Sequence, residues 1–140
     1  MSEKRPIADI DQAIYHPQML TFTPLEKSVL DTICMMERPS MPRLREVLST
    51  AVVTSRENTG HGFYTRFLTT ARKDDHWTPM IDGPYARMLD MGEGALMCFF
   101  LWCGEQGPTT LEGFQLGNAG ASVDLKARDL GTLRFSEVAY

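Results

Sequence analysis

The chain has few of the residues from which common active sites are built. Its three histidines, His16, His61 and His76, are spread over 140 residues, and no two share a helical turn. That spacing excludes the HExxH helix of zinc hydrolases. GxSxG, Walker and Rossmann glycine patterns are also missing. Cysteine is equally sparse. Cys34, Cys98 and Cys103 are odd in number and contain no CxxC, so neither a disulfide framework nor a metal ribbon is expected. Cys98 and Cys103 are five positions apart, and an odd offset on a strand points them to opposite faces. The expectation is three buried, reduced thiols in a cytoplasmic protein, with no metal and no cofactor. Cys103 precedes "GEQG" at a strand end, where a reactive thiol could sit, but it reads as a core cysteine.

Positive charge is in deficit. Fourteen Lys and Arg against eighteen Asp and Glu leave a formal charge of -4, which speaks against a nucleic-acid partner. The aromatic run "ALMCFFLWC" has no basic residue interleaved, so it does not form a base-stacking platform. No apolar run approaches the ~20 residues of a membrane span. "MSEKRPIADID" has charges but no apolar stretch behind them, so no membrane association and no secretory signal are expected.

The remaining composition is that of a globular domain. It is 43% hydrophobic and 23% charged, in a chain short enough for one domain. Residues 1–22, with Pro6 and Pro17, are expected to form an extended arm laid over the domain through Ile10, Ile14, Tyr15 and Leu20. Residues 23–140 form the domain. "TPLE" at 23–26 is a helix start: Thr23 as N-cap, Pro24 at the first helical position and Glu26 three residues after the cap. Leu25, Val29, Ile33 and Met36 follow at helical spacing, and Pro39 ends the run. A shorter second helix is capped by Ser40 or Met41 and opened by Pro42. Leu44, Val47 and Leu48 form its apolar side.

From Ala51 the period changes to two. "AVVTSREN" and "GFYTRFLTT" read as a hairpin around Thr59, Gly60 and His61. In its second strand Phe63, Thr65 and Phe67 face one way, and Tyr64, Arg66 and Leu68 the other. "TPMIDGPYARML" predicts a strand on either side of a "DGP" turn, and "MGEG" a further turn. "ALMCFFLWC" at 95–103 is apolar on both faces and predicts a central strand. "TTLEGFQLG" returns antiparallel to it, "VDLKARDL" alternates as a further strand, and "GTLRFSEVAY" closes the chain. The fold class is therefore α+β: an N-terminal helical pair packed on a mainly antiparallel sheet of five to seven strands.

Two segments resemble a pattern found in small bacterial proteins, T-G-x-G-F-[FY]-T followed some fifty residues later by L-E-G-F-x-x-G. The first is carried by Thr59, Gly60, Gly62, Phe63, Tyr64 and Thr65. The second is carried by Leu111, Glu112, Gly113, Phe114 and Gly117. The resemblance covers less than half the chain. It implies a bacterial origin and a small sheet-containing domain, and no activity.

The same segments hold the candidate site residues. Gly60 and Gly62 flank His61 in a turn that either exposes the histidine or forms a ligand loop with Tyr64 and Arg66. Glu112 lies mid-strand. It is expected to face solvent or to touch an arginine, Arg66 first and Arg56 second, because an unpaired buried carboxylate is too costly. Gly113 beside it marks a bulge or a large side chain crossing over the strand. The main functional expectation is a binding or interaction protein rather than an enzyme, acting as a homodimer or on a protein partner. The alternative is a small-molecule binder or hydrolase whose catalytic pair would be His61 and Glu112, with Gly60, Gly62, Tyr64 and Arg66 binding the ligand. The two readings separate on whether His61, Arg66 and Glu112 converge.

Overall fold

The computed structural model describes residues 21–36, 43–72, 74–92, 94–116 and 133–140. The expected arm over 1–20, the stop at Pro39, the caps at Ser40 and Met41, and the strand "VDLKARDL" lie outside the described residues. So do His16, Pro42 and Gly117.

Helix α1 (Pro24–Met35) begins as the sequence dictates. The Thr23 hydroxyl accepts from the Glu26 amide at 3.1 Å, and the Glu26 carboxylate accepts from the Thr23 amide at 2.8 Å. The first amides of a helix have no intrahelical acceptor, so this reciprocal cap stabilises the start. Leu25, Val29, Leu30 and Ile33 form the buried stripe. Thr23→Ala is expected to cost about 0.5–2 kcal/mol in a thermal or urea melt. An unchanged melt would contradict the cap. Helix α2 (Leu44–Leu48) starts later than Pro42 predicts, because Arg43 takes the left-handed conformation at φ 68 and the helical turn can open only after it.

Six strands form one antiparallel sheet: β1 (Val52–Asn58), β2 (Gly62–Leu68), β3 (Met80–Met88), β4 (Leu96–Gly104), β5 (Gly107–Leu116) and β6 (Phe135–Ala139). Their order is β1-β2-β5-β4-β3-β6. The apolar run of β4 is thus interior, between β5 and β3. The expected "DGP" turn is instead a bulge within one continuous strand. Pairing of β3 with β4 is regular up to Asp82 and resumes at Tyr85. Gly83 and Pro84 occupy the gap in the ladder. The proline has no N–H to donate, and Gly83 is pressed so close to the Phe99 carbonyl that an added Cβ would lie 2.5 Å from its oxygen.

The helices cover one face of the sheet. Phe63 and Phe67 from β2, Ile81, Ala86 and Met88 from β3, Met97, Phe99 and Leu101 from β4, and Leu111 from β5 point inward and join the helical stripe in one core. Helix α1 crosses the strands. Its first turn bonds to β1 and β2, while its body packs on β3 and β6. The small Ala86 side chain, fully buried, lets it approach β3. Glycine serves the same end at the sheet centre. Gly113 leaves room for the rings of Phe63 and Phe99, whose nearest atoms would stand 3.0 and 2.8 Å from an added Cβ. Of the two explanations the sequence offers for that glycine, crossing side chains are the one observed.

Candidate functional site

The face opposite the helices has no element packed on it among the described residues. Alternation along β2, β4 and β5 sends Tyr64 and Arg66, Cys98, Phe100 and Trp102, and Glu112, Phe114 and Leu116 to that side. Cross-strand register then assembles them. Tyr64 pairs with Glu112, Glu112 with Phe100, and Phe114 with Cys98. Phe100 lies 5.5 Å from Phe114 and 6.3 Å from Trp102, centroid to centroid. Tyr85, opposite Cys98, extends the band toward β3. Trp102 remains 39% exposed and Tyr85 44%, large fractions for aromatic side chains on the central strands of a sheet.

Glu112 stands in the middle of these rings, half-buried. The Trp102 indole N–H donates to its Oε1 at 2.8 Å, and Tyr64 stands directly opposite it across β2 and β5. The carboxylate holds the Tyr64 phenol above its usual range, chiefly by charge. Neither arginine expected beside Glu112 is its partner. Arg66 donates to Glu57 at 3.0 Å and lies 5.5 Å over the Tyr64 ring. The reason is register: Arg66 sits opposite Thr110, one side-chain repeat along from Glu112, while β1 brings Glu57 next to it.

Arg56 faces the other side of the sheet and makes a buried ion pair with Glu26. Its Nε and Nη2 donate to the two oxygens of Glu26 at 3.0 and 2.7 Å. The Thr65 hydroxyl donates to the same carboxylate, which is 0% exposed. This cluster fastens the start of α1 to β1 and β2. Two signs of it are present in the sequence. Thr65 is a polar residue between Phe63 and Phe67 on an apolar face, and Arg56 lies opposite it on the neighbouring strand.

The remaining candidates lie at the β1–β2 hairpin. Gly60 takes a positive φ of 94°, and its amide donates to the Asn58 side chain at 3.1 Å. His61 is exposed in the turn, and its carbonyl accepts from the Gln115 amide at 2.8 Å. Gly62 does not open toward a ligand but packs against the Gly113 carbonyl of β5. His61 stands three residues along β2 from the position opposite Glu112, about 10 Å at the usual strand rise, and five residues, roughly 16 Å, from Arg66. The structure therefore brings Tyr64, Arg66 and Glu112 together on the outer face and leaves His61 at its end.

All three thiols are held as thiols. Burial raises Cys103 to about 11, and burial is the largest cause of the upward shifts at Cys34 and Cys98. Trp77 and Trp102 differ in setting: the first packs against the core, and the second lies on the open face. A cleft of about 250 Å³ lies on the helical side between Phe22, Leu30, Cys34 and Leu48. It is separate from the aromatic face. Among the described residues, no helix is long and apolar enough to cross a membrane. No protein-family model, curated protein or solved structure matches this chain.

Proposed function

We propose that the protein works by binding, and that its working surface is the outer face of the sheet, occupied by a second copy of the same chain. The aromatic band of Tyr64, Phe100, Trp102 and Phe114 on the side opposite the core carries this reading. Contiguous exposed apolar surface on this scale marks a binding site more often than an idle surface. The dimensions fit a dimer. Six strands about 4.8 Å apart and some 25 Å long present roughly 700 Å², close to the ~800 Å² per partner of a standard interface. A two-fold homodimer is the commonest closed solution for such a face. The alternative of a small-molecule site at His61, Tyr64, Arg66 and Glu112 has less support, because a general base must stand within hydrogen-bond reach of its reaction partners and His61 stands apart from the rest.

Phe100→Asp tests the assignment. A second carboxylate beside Glu112 opposes burial of the face, so light scattering should show the mass falling to one chain, 15.8 kDa. Met35→Asp alters a residue that is 74% exposed on the helical side and should leave the mass unchanged. Equal behaviour of the two variants would contradict the reading.

A further inference from the structure

The outer face has a defect as a self-complementary surface, and its position suggests how two copies meet. Glu112 is a carboxylic residue among four rings, and the hydrogen bond it accepts comes from a neutral donor, the Trp102 indole. No salt bridge joins it to a cation among the described residues. A two-fold axis through Glu112 would stack two carboxylates in an apolar interface, which is strongly unfavourable. The cation nearest on the same face is Arg66. It lies one strand over and two residues along, about 8 Å away by sheet spacing. Its own carboxylate, Glu57, is an exposed partner on the edge strand β1, so Arg66 can exchange it at little cost.

We infer that the two copies pack outer face to outer face about a two-fold axis that sets Arg66 of one copy against Glu112 of the other, twice. An axis lying between the sheets, at right angles to the line joining the two positions and crossing it midway, exchanges them, so one rotation forms both pairs. It replaces a repulsion with two attractions, and the flanking rings of Tyr64 and Trp102 exclude water from both. The guanidinium already lies over the ring of Tyr64, the residue opposite Glu112, so the cation starts on the platform and not at its rim. The same axis makes the strands of the two sheets cross steeply, nearer the orthogonal class of sheet packing than the aligned one. Arg45, paired with Asp31 on the helical side, serves as the control.

This inference rests on the self-association reading, and sedimentation velocity over a concentration series separates the two. Arg66→Glu and Glu112→Arg should each weaken the dimer by about tenfold or more. The double exchange Arg66→Glu with Glu112→Arg should restore it to within about threefold of wild type. Arg45→Glu should change nothing. Near-UV circular dichroism on the same samples identifies any variant that has not folded. The wild-type protein supplies a test without substitution: its dimer should weaken as salt rises from 50 mM to 1 M, whereas purely apolar association does not. A dimer insensitive to both single exchanges and to salt, or one lost in both singles and not restored in the double, would overturn the pairing and leave self-association standing. A wild-type monomer at every concentration would overturn both.

Discussion

Arg56→Ala should destabilise the fold by about 3–5 kcal/mol in urea denaturation. The cost comes from what the substitution leaves behind. Glu26 is 0% exposed, and two of its hydrogen bonds come from that guanidinium. Without the arginine, a carboxylate remains in the core beside the Thr65 hydroxyl and the Thr23 amide, two neutral donors. Domains of this size have about 5–15 kcal/mol to lose, so the variant should melt far below wild type. Arg56→Lys should cost less than alanine but more than nothing, because an ammonium restores the charge without the two-pronged geometry. In the Glu26→Gln background the loss on removing Arg56 should shrink, since a neutral amide no longer needs the cation. The two residues form one unit and their effects should not add. A loss under about 1 kcal/mol for Arg56→Ala would show that the pair does not anchor α1 as described.

Gly62→Ala should be comparably damaging for a steric reason. An added Cβ would stand 2.0 Å from the Gly113 carbonyl oxygen and 2.8 Å from the Phe114 Cα. Both are backbone atoms of β5, so no side-chain rotation relieves the clash and the β2–β5 pairing must part. The expected loss is about 3 kcal/mol or more, at the upper end of overpacking effects. Two other glycines calibrate it. At Gly113 the obstacles are the rings of Phe63 and Phe99, which can yield, so alanine there should cost about 1–3 kcal/mol. At Gly94 there is open space and only a positive φ of 75° to oppose a side chain, so alanine should cost about 1 kcal/mol. Chemical denaturation of the three variants should rank Gly62 first, Gly113 second and Gly94 last. A different order would mean that the β2–β5 register is not the one described.

The cap at Thr23 and Glu26 is local: four consecutive residues specify it, and the helix begins there. The burial of that same Glu26 is not local. It depends on α1 crossing β1 and β2, a tertiary placement that helical periodicity does not encode. The apolar character of β4 marks it as interior, because a strand between two neighbours and under a helix needs few polar positions. Its half-exposed rings, Phe100 and Trp102, read in the sequence as more core, since an uncovered aromatic face and a buried one have the same composition. "DGP" is read as a turn because glycine and proline interrupt both turns and ladders, and only the partner strand distinguishes a turn from a bulge. For Glu112 the alternation rule gives its side of the sheet but not its partner. Its hydrogen bond comes from Trp102, diagonally across β4 and β5, a neutral donor that charge pairing does not point to.

Whether a second copy covers the outer face is decided by the mass of the wild-type protein in solution. Multi-angle light scattering across a micromolar concentration series should give twice 15.8 kDa, falling toward one chain on dilution. A mass of 15.8 kDa throughout the series would rule out self-association through the aromatic face.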